Sequence, residues 1–377
     1  MRILVLGAGL QGSSCTYDLL RQDDVSKVTV ADLEPERLAE FVPTHERLEK
    51  TRADFGDAAG MRDVMGSHDI VLSAAPYYFN LEMASAAIDA GCHFSDLGGN
   101  TQIVRDQLAM AARAVDAGVT LVPDVGLAPG MINVIASEGI RRFDDPRSVR
   151  MYVGGLPQNP RPPLNYQVAY SLEGMLDYYD TLSWMLRDGE PTQVEALTEI
   201  ELLDFGELGD LEAFHTAGGA SLQPWDYSDD LDELCYKTLR YPGHAQIMLA
   251  FKQLGLIDLE PVDVKGTQVV PRDAFLACIR PHLNLSEPDL VALRVVAEGE
   301  NAGSSGRVTF DVLDRMDEEI GITAMERTTG FTLAIVGLFL GRGIISDPGA
   351  EPSYRLIPYG PYVEELAARG IEVRVTD

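Results

Sequence analysis

The first 32 residues constrain the fold more than any other part of this 377-residue chain. The strand-like run 2–6 leads directly into the turn 7–12, Gly-Ala-Gly-Leu-Gln-Gly, and a helical stretch follows at 14–20. A second apolar run, 28–31, then ends at Asp32. In such a turn the first glycine permits a tight bend, the second lets the backbone approach a pyrophosphate, and the third lets the helix pack closely on the strand. The pattern predicts a Rossmann-type dinucleotide-binding unit.

Asp32 indicates which dinucleotide this unit binds. A carboxylate at the end of the second strand accepts hydrogen bonds from both ribose hydroxyls and repels a 2′-phosphate, so the sequence favours NAD over NADP. The alternative is a glycine-rich turn followed by an ordinary strand-end acid. The predicted cofactor contacts lie in the turn and at the ends of the strands: Gly7, Gly9, Leu10, Gln11, Gly12, Asp32, Asp54, Ala74, Ala75, Pro76 and Gly126.

The order of strands and helices predicts an α/β fold with a second domain. Apolar strands alternate with helices at 80–90 and 106–117, which is typical of a doubly wound parallel sheet over residues 1–128. Residues 129–327 contain scattered strand-like runs and fewer helices, as in an α+β substrate and oligomerisation domain with a mixed sheet. A final apolar helix and tail, 328–377, is expected to pack back on the first domain.

The charge of the chain excludes two classes of partner. With 59 acidic and 30 basic residues the net charge is −29, and such a surface repels nucleic acid and anionic membranes. The acidity fits either the steering of a cationic substrate or a lysine-poor surface suited to high salt. The second interpretation is favoured, because net charge bears on solubility and association and not on the reaction.

The remaining composition predicts a cytoplasmic protein without a metal. The four cysteines form no CxxC pair and no Cys/His cluster has zinc spacing, so reduced thiols are expected. No signal-peptide pattern is visible, and the apolar stretch 331–340 is shorter than the roughly 20 residues that span a bilayer. A homo-oligomer, dimer or tetramer, is expected because such assemblies are common and a free sheet edge could pair with another subunit.

Longer segments carry a resemblance to a known family. They are 96–100, 123–133 and 236–244, with shorter matches at 170–174 and 212–216. Together with the glycine turn they resemble the saccharopine dehydrogenase-like family along essentially the whole chain. Within that family the chain is most similar to the L-lysine 6-dehydrogenases.

Ala128 bears on the choice of subfamily. Saccharopine reductases and carboxynorspermidine dehydrogenases carry Asp at this point of the loop, whereas the lysine 6-dehydrogenases carry Ala. The resemblance implies NAD-dependent oxidation of the ε-amine of L-lysine, a small amino-acid substrate, to 2-aminoadipate 6-semialdehyde with release of ammonia. The alternatives are a saccharopine-type reductase and a catalytically silent NAD-binding sensor.

The substrate-binding candidates lie near one predicted strand. A guanidinium fork pairs with a carboxylate through two parallel hydrogen bonds, which makes Arg240 the candidate anchor for the substrate α-carboxylate. The resemblance places Thr238 there as well, and strand alternation points both side chains to one face and Lys237 to the other. A structural ion pair is the alternative for Arg240. Glu173 and Asp177, four residues apart, could hold the α-ammonium group, although a solvated acidic face is favoured.

Asp96 and His244 are the catalytic candidates. Asp96 could deprotonate the amine, orient water or stabilise positive charge, or it could only cap the loop that follows. His244 could shuttle protons near neutral pH, or it could simply pack at the start of its helix. Gly126 and the Pro129-Gly130 pair are interpreted as the turn between the domains, beside the nicotinamide.

Overall fold

The computed structural model describes residues 1–168, 172–283 and 287–377. The chain divides into two compact units, one of residues 1–141 and 317–374, the other of residues 142–316 and 375–377. The first division thus falls after residue 141, whereas the sequence places it at 128, because the helix that follows the glycine-rich loop packs within the first unit. The motif residues Tyr170 and Ser171 lie outside the described residues.

The elements of the two units follow in chain order. The first part of the first unit contains β1 (Arg2–Leu6), α1 (Leu10–Leu20), β2 (Lys27–Asp32), β3 (Leu48–Arg52), α2 (Ala58–Met65), β4 (Ile70–Ser73), α3 (Asn80–Ala90), β5 (His93–Asp96), α4 (Thr101–Leu108), α5 (Ala111–Ala117), β6 (Thr120–Val122) and α6 (Met131–Arg141). The second unit contains β7 (Asp145–Pro157), α7 (Leu172–Asp180), β8 (Ser183–Arg187), β9 (Glu190–Val194), β10 (Glu201–Asp204), β11 (Asp210–His215), α8 (Gln223–Asp226), β12 (Glu233–Arg240), α9 (His244–Gln253), β13 (Val262–Val264), β14 (Thr267–Val269), α10 (Pro271–Leu283), β15 (Asp289–Asn301) and β16 (Ser304–Arg315). The chain ends with α11 (Ala324–Gly341), β17 (Gly349–Ala350), α12 (Ser353–Leu356), α13 (Tyr359–Ala368) and β18 (Arg374–Thr376).

The first unit is built on a parallel sheet, as predicted. Its seven strands follow the order β17-β6-β5-β4-β1-β2-β3, and Val5 of β1 lies opposite Val30 on one side and Leu72 on the other. The central strands are buried on both faces, which explains their continuous apolar sequences. The sequence pattern misses β3, because this edge strand is polar and half exposed.

The helix predicted over 106–117 is in fact two helices. Asn100 caps α4, since its side-chain oxygen accepts hydrogen bonds from the backbone N–H groups of Gln102 and Ile103. The helix therefore begins earlier than its apolar pattern suggests, and it ends before α5 starts at Ala111.

The C-terminal helix α11 packs closely on α1 and β4 of the same unit. A Cβ atom at Gly330 would lie 1.9 Å from Ser14 Oγ, and one at Gly337 would lie 2.7 Å from a Leu72 methyl group. Farther along, Arg369 donates two parallel 2.8 Å hydrogen bonds to the buried carboxylate of Asp18 in α1. The C-terminal segment is thus part of the support for the helix that follows the glycine turn.

The second unit is built on a mixed sheet, again as predicted. The strand order is β10-β11-β12-β7-β15-β16-β18, with β8 attached to β12 and β9 to β8. β12 runs parallel to β7 and antiparallel to β11. The carboxyl end of β12 therefore lies beside the start of β11, where Arg240 pairs with Glu212. Helices α7, α9 and α10 share an apolar cluster with Phe214 of β11. No helix in the described part of the chain is long and apolar enough to cross a membrane.

Candidate functional site

The glycine turn between β1 and α1 leaves no room for larger residues at two positions. Gly7 has φ +103°, and a Cβ atom there would lie 2.9 Å from the Ala74 carbonyl oxygen. A Cβ atom at Gly12 would lie 2.0 Å from the carbonyl oxygen of Gly7. At Gly9, the residue before α1, a Cβ atom would meet nothing within 4 Å. The turn therefore closes tightly on itself and stays open at the helix N-terminus, where a pyrophosphate fits.

Asp32 lies at the carboxyl end of β2, as predicted, and is tied to the turn. Its Oδ2 atom accepts a 2.8 Å hydrogen bond from the backbone N–H of Ala8, and Oδ1 accepts one of the same length from Glu34. Each carboxylate oxygen has a second lone pair, so both can still accept from ribose hydroxyls. The exposed Arg52 is the Cα partner of Asp32 on β3 and places a positive charge at the same sheet edge.

The other predicted cofactor residues lie in loops at the carboxyl ends of the parallel strands. Half of the Leu10 surface is exposed, next to Gln11 at the start of α1. Asp54 follows β3, and its carboxylate accepts a 2.9 Å hydrogen bond from Gly56 N–H. Ala74, Ala75 and Pro76 follow β4 directly. These positions lie at the same edge of the parallel sheet as the glycine turn.

Gly126 belongs to the loop after β6. Its N–H donates a 2.9 Å hydrogen bond to the Pro129 carbonyl, and a Cβ atom at Gly130 would lie 2.2 Å from the Gly126 carbonyl oxygen. The loop and α6 both lie within the first unit, so the contact-based division of the chain falls after this loop.

Asp96, the last residue of β5, is completely buried. Its Oδ1 atom accepts a 2.7 Å hydrogen bond from Gly98 N–H, and Oδ2 accepts a 2.6 Å bond from Gln107 Nε2. Burial raises the pKa of this carboxyl group to about 6. The geometry is that of a group that fixes the loop after β5 to α4, which favours the structural interpretation over direct proton transfer.

Arg240 ends β12 and is only 5% exposed. Its guanidinium carbon lies 4.7 Å from the ring centre of Tyr166, and Nε donates a 3.2 Å hydrogen bond to the Tyr179 hydroxyl oxygen. One terminal nitrogen donates to the Leu239 carbonyl at 2.8 Å. Stacking on a ring and a bond at Nε fix the plane of the fork, as recognition of a carboxylate requires.

Thr238 lies on the same face of β12, as alternation predicts. Its hydroxyl is 2.7 Å from that of Thr216. Lys237 lies on the other face, where Nζ donates 2.7 Å bonds to the Glu199 carbonyl and to a Glu201 carboxylate oxygen. The predicted separation of Lys237 from the Arg240 face is therefore confirmed.

His244, the first residue of α9, is 1% exposed. Its Nδ1 lies 3.0 Å from the Leu164 carbonyl oxygen and its Nε2 lies 3.0 Å from the Tyr179 hydroxyl. Burial, reinforced by the charge of Arg240, lowers the pKa of the imidazole to about 3. Burial and these two contacts favour the packing interpretation of His244 over a proton shuttle near neutral pH.

Glu173 does not lie with these residues. Its side chain is exposed and pairs with Arg280, while Asp177 pairs with Arg272 at 2.6 Å. The two acids form ion pairs between α7 and α10, which favours the solvated-face interpretation over binding of a substrate ammonium group.

Arg240, His244 and the residues that contact them or fix their segments, Tyr166, Tyr179 and Glu212, are called the Arg240 cluster below. Three of these residues were not singled out from the sequence. Tyr166 and Tyr179 contact the guanidinium, and the buried Glu212 accepts hydrogen bonds from the N–H groups of Gly243 and Ala245 on either side of His244. Tyr179 could have been found from the buried helical face that it shares with Met175 and Leu176. Within the described residues, no group of three His, Cys, Asp or Glu side chains is arranged to hold a metal ion.

Comparisons with known proteins cover nearly the whole chain. Residues 3–122 match the saccharopine dehydrogenase NADP binding domain, and residues 126–371 match the saccharopine dehydrogenase C-terminal domain. Saccharopine dehydrogenase (NADP+, L-glutamate-forming) of Saccharomyces cerevisiae is 27% identical over 302 residues, which cover 77% of this chain and 66% of that protein. The mitochondrial alpha-aminoadipic semialdehyde synthase of Bos taurus is 21% identical over 441 residues, covering 98% of this chain and 47% of that protein. The chain thus spans about half the length of this synthase and about two thirds of the length of the dehydrogenase.

A solved structure shares the fold. The apo saccharopine dehydrogenase (L-Glu forming) of Saccharomyces cerevisiae superposes with a TM-score of 0.83 at 20% identity, and the match covers 100% of this chain and 99% of that one. The part of the first unit that contains the glycine turn and Asp32 therefore matches a nicotinamide-dinucleotide-binding domain. Because the two family domains together span the chain from the first strand to the last helix, this protein belongs to the saccharopine dehydrogenase family.

Proposed function

We propose that the protein is a dehydrogenase that oxidises the ε-amine of L-lysine with NAD as acceptor. Lysine in its ammonium form, NAD+ and water would give 2-aminoadipate 6-semialdehyde, ammonium ion, NADH and one proton. The observation that carries the proposal is Arg240, a buried guanidinium stacked on Tyr166 and oriented by Tyr179. In a family of amino-acid dehydrogenases, such a fork suits the α-carboxylate of the substrate.

The residues of the second unit would bind and orient the substrate. Arg240 pairs with the α-carboxylate, and the hydroxyl of Thr238 donates a further hydrogen bond to it. The rings of Tyr166, Tyr179 and Phe214 exclude water, which strengthens these charged contacts. Binding one end of the substrate in this way limits the positions that the reacting amine carbon can reach.

The residues of the first unit would hold the dinucleotide. When bound, the nicotinamide accepts the hydride from the carbon that carries the amine. The backbone at Gly9 and the α1 N-terminus suit the pyrophosphate, and Asp32 suits the adenosine ribose. We favour NAD because the Asp32 carboxylate would repel a 2′-phosphate. Two observations favour NADP instead: the matching family domain is an NADP binding domain by name, and Arg52 lies beside Asp32.

A saccharopine-type dehydrogenase is the second candidate. A relative named above favours it, since the Saccharomyces cerevisiae protein is a saccharopine dehydrogenase by name. Ala128 favours lysine, because the family resemblance associates an acid at this position with the larger substrate.

One assay separates the candidates. Formation of reduced cofactor is followed with lysine, ornithine, diaminopimelate and saccharopine, each with NAD and with NADP. We expect turnover with lysine and NAD. Turnover with saccharopine and not with lysine would mean that the protein is a saccharopine-type dehydrogenase. A preference for NADP would refute the role of Asp32 in selecting NAD. Tight NADH binding without any turnover would indicate a sensor.

A further inference from the structure

We propose that His244 is a positioning residue for the substrate anchor Arg240 and acts on it through the hydroxyl group of Tyr179. The inference rests on the proposed function, because it takes Arg240 as the group that binds the substrate carboxylate. It assigns to His244 no contact with the substrate and no transfer of a proton.

The direction of each hydrogen bond in this chain follows from its two ends. The Leu164 carbonyl can only accept, so Nδ1 of a neutral His244 carries the hydrogen and Nε2 is left as the acceptor. The Tyr179 O–H must then donate to Nε2. Its oxygen keeps lone pairs for Nε of Arg240, which can only donate.

A histidine that gained a proton would reverse this order. Nε2–H would then donate to the Tyr179 oxygen, which would have to accept from His244 and Arg240 together, and the Tyr179 O–H would lose its acceptor. The surroundings oppose protonation: Tyr166, Tyr179 and Phe214 lie with their ring centres 5.5, 5.8 and 6.4 Å from the imidazole. Among the charged groups, Arg240 on β12 disfavours the imidazolium, while Glu212 on β11 is engaged by backbone N–H groups.

Glu212 fixes the turn that carries His244. It is the Cα partner of Arg240 in the β11–β12 pairing, and its carboxylate accepts from Gly243 and Ala245 at the start of α9. A carboxylate is also favoured there by the helix dipole. The strand that carries the anchor and the helix that carries the imidazole are thus held to the same neighbouring strand.

The test compares lysine kinetics in four variants of the full chain. Tyr179→Phe and His244→Leu should each raise the KM for lysine about tenfold, with kcat and the KM for NAD nearly unchanged, since each weakens a hydrogen bond to a charged group. His244→Gln should recover most of the loss, because its amide oxygen can accept the Tyr179 O–H. The double variant Tyr179→Phe/His244→Leu should be no worse than the worse single variant, since both break one chain.

Tyr362→Phe is the matched control, because it also removes a buried hydroxyl, bonded to Thr332 at 2.9 Å in the first unit. It should leave the KM for lysine unchanged. Fully additive effects of Tyr179→Phe and His244→Leu, or an equal rise in KM in the control, would overturn the inference. So would a kcat–pH profile that loses an ionisation in His244→Leu, which would indicate proton transfer instead.

A measurement without substrate separates failure of this inference from failure of the proposed function. In ¹⁵N NMR spectra between pH 5 and 9, His244 should remain neutral with hydrogen on Nδ1. A hydrogen on Nε2, or a charged ring, would refute the positioning role of His244 even if lysine is the substrate. If His244 shows the expected tautomer but lysine is not turned over, the proposed function is refuted. The role of His244 in positioning Arg240 for lysine is then refuted as well.

Discussion

The glycine turn of the first unit and the Arg240 cluster of the second are built in opposite ways. The turn works through backbone, and its key residues are those that have no side chain. The Arg240 cluster works through side chains: Tyr166, Tyr179, Glu212 and His244 each touch the anchor or the segment that positions it. We therefore expect the first region to be damaged by adding a methyl group and the second by removing a single polar atom.

The largest effect is expected from Gly12→Ala in the turn. The new Cβ atom would lie 2.0 Å from the Gly7 carbonyl oxygen, so backbone must move and α1 must separate from β1. We expect a loss of stability above about 3 kcal/mol or failure to fold, measured by thermal or urea unfolding. Gly9→Ala is the matched control: its Cβ atom meets nothing within 4 Å, so it should fold normally and bind the dinucleotide more weakly. Equal stability losses in both variants would contradict the comparison.

Arg240→Ala tests the side-chain region. Loss of two charge-assisted hydrogen bonds to a carboxylate corresponds to about 3 kcal/mol, so the KM for lysine should rise about 100-fold while NAD still binds. Lys237→Met is the control from the opposite face of β12. It breaks the contact with Glu201 and should lower stability without changing the KM for lysine. A large rise in KM in both variants would mean that the two faces are not functionally distinct.

Asp96→Asn tests a buried side chain in the first unit, where the glycine turn depends on backbone contacts. The folded-state pKa of Asp96, about 6, lies above the ordinary value of 3.8 for this group, so the folded protein keeps a proton that the unfolded chain releases between these values. The Asp96 contribution to stability therefore falls as pH rises from about 4 to 6 and is constant above that range. At 1.36 kcal/mol per pKa unit the decline is at most about 3 kcal/mol.

Urea unfolding of wild type and Asp96→Asn across this pH range measures the difference. The variant should lose less stability than wild type between about pH 4 and 6. Asp54→Asn is the control for the substitution itself, since Asp54 makes the same type of turn contact, to Gly56, at an exposed position. Parallel pH curves for wild type and Asp96→Asn would contradict the burial argument.

The two regions also differ in how far the sequence predicts them. The turn is local: the spacing of Gly7, Gly9 and Gly12 determines its shape, and Asp32 follows at the end of the next strand. The Arg240 cluster is not local, because Glu212 faces Arg240 only once β11 and β12 pair, and Tyr166 reaches it from a separate segment. A sequence pattern contains neither the pairing nor the burial that keeps His244 neutral.

The smallest effect is expected from Asp32→Ala, which removes a side chain beside the glycine turn of the first unit. Two hydrogen bonds to ribose hydroxyls would be lost, and with them the repulsion of a 2′-phosphate, so the KM for NAD should rise about tenfold and the preference over NADP should narrow. Glu34→Ala is the control, because Glu34 contacts Asp32 through its backbone N–H, which the substitution keeps. Steady-state kinetics with both cofactors at saturating lysine measure the change. If the Asp32 variant keeps the wild-type ratio for the two cofactors, Asp32 only ties the turn to β2 through Ala8 and does not select the cofactor.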